Sequence, residues 1–201
     1  MENVVNGLAG LLTGWLFNIA VGPQNALILR QGLMRSHIGT VILLCSIADC
    51  LLIALGNLGV GAIVTAVPWI LEVLRYASAT YLLWFAFQSF RTAFKNENLS
   101  PEGRVQPLRT LNITTLTLTF LNPGVYLDTV ALLDTMAYSQ PGSTWVFSIG
   151  AMIGSVTFFT GLGLGAQALA PLAAKPQAWK IIDISIGVVI TIRALRLIFM
   201  C

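Results

Sequence analysis

Residues Asn3 to Leu29 carry no charged side chain. A helix crosses the hydrocarbon of a bilayer with about 20 apolar residues, so this stretch alone is long enough to span. Comparable runs recur to the C-terminal end, and they leave little chain for anything else. Only 9% of the 201 residues are Asp, Glu, Lys or Arg and 56% are hydrophobic, where a soluble domain is about 25% charged. So few charges cannot cover so much apolar surface in water without exposing patches that aggregate. The chain reads as an all-α membrane protein, a single integral-membrane domain over residues 1–201.

The runs divide into about six spans, near Gly7 to Leu29, His37 to Leu58, Ile70 to Phe90, Leu111 to Met136, Thr144 to Ala170 and Ala178 to Phe199. The last is the least clean, because Asp183, Arg193 and Arg196 interrupt it, and an interfacial helix is its alternative. Residues 91–110 form a polar linker between two halves, about 1–90 and 111–201. The first apolar stretch has no basic segment before it and is expected to stay as a span rather than be cleaved. Lys and Arg gather between spans 1 and 2, 3 and 4, and 5 and 6, which places those loops in the cytoplasm and both termini outside. Glu72 and Arg75 can pair by i,i+3 spacing. Trp69, Trp145 and Trp179 stand at span starts, where interfacial rings belong, while Trp15 and Trp84 fall inside spans as packing residues.

Two spans are broken. Gly22-Pro23-Gln24-Asn25 interrupts the first and Asn122-Pro123-Gly124 the fourth. Proline removes a helical hydrogen bond and clashes one turn back, and in lipid the freed backbone groups need partners from protein, water or ligand. Asn122 before Pro123 also reads as an N-cap that starts a half-helix. The breaks lie in the first helix of each half. Three spans per half invert the second half, the two inverted repeats of many secondary transporters, whose sites lie at paired interrupted helices 1 and 4.

Two acids lie deep. At about 1.5 Å per residue, Asp49 is about 18 Å into span 2, Asn122 about 16 Å into span 4 and Asp128 about 26 Å into span 4. An ionisable residue at such depth is a functional hypothesis by default. Cys45, Ser46, Asp49 and Gly56 share one helical face. The competing reading pairs Asp49 with Arg75 or Arg193 as a structural ion pair. Gly10/Gly14, Gly150/Gly154 and Gly161/Gly165 allow close helix packing but fix neither partner helix nor oligomer, so a homo-oligomer stays open.

Other functions lack their residues. The positive side chains form no stripe for nucleic acid. One histidine, His37, and Cys45, Cys50 and Cys201 without Cys-x-x-Cys spacing supply no haem, redox or metal site. No enzyme activity and no cofactor are expected.

Val21-Gly22-Pro23-Gln24-Asn25-Ala26, Gln31-Gly32, Leu44-Cys45-Ser46 to Asp49, and Leu121-Asn122-Pro123-Gly124-Val125-Tyr126-Leu127-Asp128-Thr129 closely resemble the LysE family of basic amino-acid exporters, especially its arginine-exporting branch. The resemblance runs over the whole chain. It implies an exporter of L-lysine or L-arginine in the bacterial inner membrane, with Asp49 and Asp128 as its functional acid pair. It also implies a cytoplasmic N-terminus, opposite to the charge count. Related branches export neutral amino acids. The breaks would offer N–H groups to a substrate carboxylate, the two aspartates would take the cationic group, and Gln24, Asn25 and Asn122 would orient it; Tyr126 stands in the same motif. Moving a cation outward against an inside-negative potential costs about 2.3 kcal/mol per 100 mV. Exchange for a proton cancels that charge movement, which favours antiport. A neutral amino-acid exporter, an exporter of another small solute and a metal-ion transporter of this architecture are the alternatives.

Overall fold

The computed structural model describes residues 2–19, 22–60, 67–94, 107–120, 125–126, 129–130, 133–139, 143–171 and 176–199. Their regular elements are eight helices and a π turn. These are α1 (Glu2–Ile19), α2 (Pro23–Leu33), α3 (Ile38–Leu55) running into a π turn (Gly56–Val60), α4 (Pro68–Phe94), α5 (Leu108–Phe120), α6 (Leu133–Ser139), α7 (Thr144–Ala168) and α8 (Pro176–Phe199). Two segments, Ile38–Gly59 and Thr144–Ala168, are each long and apolar enough to cross a membrane, and α1 with α2 makes a third candidate, bent by 81° between its halves. With 27 and 24 residues, α4 and α8 reach about 40 and 36 Å at 1.5 Å per residue. Charged and hydroxyl side chains interrupt both.

Glycine decides the closest pairing. Added Cβ atoms at Gly10 and Gly150 would run into the Phe147 and Gly7 carbonyls, and at Gly14 and Gly154 into those of Ala151 and Leu11, the last two at 2.5 Å. The α1 and α7 backbones therefore touch, as small residues permit in lipid. Two of the three glycine pairs thus find their partner in each other. Gly161 and Gly165 have nothing within 4 Å and do no such packing. Asn6 adds a hydrogen bond from Nδ2 to the Ser143 carbonyl at 3.0 Å.

Helix α7 is central, and α2 and α3 pack on it beside α1. Helix α5 lies against α3. Ile28, Val41, Cys45, Leu111 and Phe159 make one buried cluster where α2, α3, α5 and α7 meet. Helices α4 and α8 pack chiefly on each other, with the Phe90 ring against Gly187. Arg75 reaches from α4 to the end of α8, where its guanidinium donates to the Leu197 and Ile198 carbonyls. Those last carbonyls have no partner within their own helix.

The tryptophans correct two expectations. Trp69 and Trp145 are exposed, but Trp179 is only 4% exposed and packs with Leu33 and Ala166. Trp84 is 54% exposed instead of packed. Trp15 is also exposed, though its indole N–H donates to Thr157 at 3.0 Å and its ring meets Phe158 edge-on.

Candidate functional site

The first break begins where proline dictates. Pro23 lacks an N–H and takes the first position of α2, where none is needed. Gly22 precedes it in extended conformation, φ −123° and ψ 179°, and its carbonyl accepts the first helical bond, from the Ala26 N–H at 3.1 Å. The loose end of α1 is held by the break's own amide. Asn25 Nδ2 donates to the Asn18 carbonyl at 2.6 Å. The Asn18 side chain donates back to the Gly14 carbonyl at 3.0 Å and across to Ser155 Oγ on α7 at 2.8 Å.

Asp49 joins this network from α3. It is 6% exposed, and its nearest polar neighbours are Ser155 of α7 and Asn18 of α1. One turn earlier, Cys45 sits beside the Gln24 amide. Among the described residues the ion pair is Arg30 with Asp183; no cation there pairs with Asp49, which removes the structural-pair reading for Arg75 and Arg193. Among the described residues its polar neighbours are neutral.

Two polar atoms of this group have no hydrogen-bond partner: Gln24 Nε2 and Ser46 Oγ, both buried. Each unmet buried group costs about 1–3 kcal/mol. One amide donor, one hydroxyl and one carboxylate without a counter-ion among the described residues thus stand near one another. Among the described residues, no three His, Cys, Asp or Glu side chains gather as a metal site.

The structure brings Gln24, Asn25 and Asp49 together at the Gly22-Pro23 break. Asn122, Pro123, Gly124 and Asp128 lie outside the described residues. Tyr126 is described, and its hydroxyl donates to the Phe120 carbonyl at the end of α5 at 2.9 Å. Tyr126→Phe removes this hydrogen bond, so a thermal melt of the purified protein should show a loss of about 1 kcal/mol. An unchanged melt would show that Phe120 has another donor.

Sequence reading missed Asn18 and Ser155. Asn18 carried a signal, standing four residues after Gly14 on the same helix face; Ser155 stands four after Ala151, which only the structure shows against Gly14.

Residues 15–200 match the family model described as LysE type translocator. The chain belongs to that family. The lysine exporter LysE of Corynebacterium diphtheriae is 33% identical to this translocator, covering 95% of its chain and 97% of the relative. That of Corynebacterium efficiens is 35% identical over 96% and 98%. The arginine exporter protein ArgO of Klebsiella pneumoniae is 35% identical over 94% and 90%. No solved structure matches the chain.

Proposed function

We propose that this translocator exports basic amino acids, L-arginine or L-lysine, across the bacterial inner membrane in exchange for protons. The carrying observation is Asp49, a buried carboxylate with no cationic partner among the described residues, set at a helix break beside unpaired donors. Its partner for export is the substrate's cationic group. The break's N–H groups suit the substrate carboxylate, and Gln24, Asn25, Asn122 and Tyr126 complete the site around Asp49 and Asp128. Lysine and arginine exporters among the relatives support this substrate class.

The architecture is a single domain of six spans in two inverted halves. Helices α1 with α2, α3 and α4 form the first half, and α5 with the second break, α7 and α8 the second. A two-fold axis exchanging the halves maps the α3–α7 and α4–α8 pairs onto themselves and α1–α7 onto α5–α3. All four pairs pack, which supports the repeat.

An aspartate that holds either a proton or the cationic substrate couples the two by competition. Counterflow in proteoliposomes tests the substrate: arginine or lysine exchanges, while leucine and divalent cations do not. Exchange of leucine alone would move the protein to the neutral class. Arginine efflux indifferent to an imposed pH gradient would remove the antiport.

A further inference from the structure

Helix α2, which carries Gln24 and Asn25, gives one face to α8. Arg193 Nη1 lies 3.6 Å from where a Cβ on Gly22 would sit. One turn on, Ala26 shares a buried cluster with Ile186 and Ile190. Arg30 Nη2 meets Asp183 Oδ1 at 2.6 Å, and Leu33 packs with Trp179. Positions 22, 26, 30 and 33 form one stripe of a helix. Their partners fall in number as they rise, so the two helices run antiparallel.

This contact differs in kind from the α1–α7 contact. There the backbones touch at glycines; between α2 and α8 the backbones stay further apart, and side chains make the connection. Asp183 is 1% exposed and Arg30 about a quarter exposed at its side chain. The pair therefore has a buried acid and a cation with a path to the surface. Helices α4 and α8, which pack chiefly on each other, meet this face of α2 and, where Trp179 packs on Ala166, the end of α7.

We propose that Arg30 and Asp183 are a releasable clasp, holding the half-helix α2 on the α4–α8 pair in one state of the transport cycle and parting in another. The inference rests on the reading of the chain as a transporter, not on which amino acid it carries. Neither residue belongs to the substrate site; both are positioning residues, acting through α2 on Gln24 and Asn25. The α4–α8 pair can move relative to α2 by giving up one ion pair and side-chain contacts, whereas α1, and α2 at Gly32 against the Gly163 carbonyl, stay on α7 through backbone contacts. Removing one member of a buried pair leaves the other charge stranded, but removing or exchanging both together is far less costly.

The test is reversible locking. An arginine side chain spans further than a disulfide can, so Arg30→Cys with Asp183→Cys is joined by a bifunctional methanethiosulfonate of about the span of the pair. The wild-type chain, treated alike, controls for Cys45, Cys50 and Cys201. Exchange is followed with arginine, lysine and leucine, and the solute the wild type carries serves as the readout; its identity scores the substrate reading separately. The linked variant should lose exchange about tenfold or more and regain it on reduction with dithiothreitol. Linked protein that exchanges as fast as reduced protein overturns the clasp. Charge reversal gives a second measurement. Arg30→Asp and Asp183→Arg should each slow exchange about tenfold, and the combined variant should regain about a third of the wild-type rate. A combined variant as slow as the single ones also overturns it.

Discussion

Asp49→Asn is expected to lower arginine exchange about a hundredfold while the protein still inserts and purifies normally. The separation of the two effects follows from the site. Asparagine has nearly the same shape, and its neutral amide is at home beside Asn18 and Ser155. What it cannot do is balance a guanidinium or ammonium group. Breaking a buried charge pair costs about 2–5 kcal/mol, and about 2.7 kcal/mol is a hundredfold. Asp128→Asn is expected to behave alike. Exchange retained by both variants in counterflow assays would sink the proposed role of the acids.

Gly10→Leu is expected to have the largest effect on folding. Even a methyl group there would run into the Phe147 carbonyl of α7, and a backbone carbonyl cannot turn aside as a side-chain tip can. Overpacking typically costs about 1–3 kcal/mol, and here the two helices would have to separate along their length. Size-exclusion chromatography in detergent should show loss of the single folded species. Gly161→Ala and Gly165→Ala are the controls. Open space surrounds both positions, and alanine favours a helix over glycine by about 1 kcal/mol, so these variants should melt no lower than the wild type. A normal elution profile for Gly10→Leu would show that the α1–α7 contact is not required.

The same motif thus means different things at different positions, and that marks the limit of what the sequence discloses. The break at Gly22-Pro23 was legible because proline acts on its own backbone, whatever surrounds it. Asp49 was legible because an acid inside an apolar run is anomalous by itself. Facing was not legible. In lipid an apolar side chain is at home on either side of a helix, so Trp84 could be placed within a span but not assigned to its exposed side, and Trp179 looked interfacial although it is buried against Leu33. Arg30 and Asp183 were hidden for another reason. Each reads locally as a span terminus or a flaw in a span, and nothing nearby in the chain tells that 153 positions separate two halves of one ion pair.

The glycine contact between α1 and α7 also bears on what the protein must refuse. A carrier that leaked protons or sodium would discharge the gradient across its own membrane. Where two backbones meet without room for a methyl group there is no room for a file of water either, so this side of α1 is sealed as an insulator.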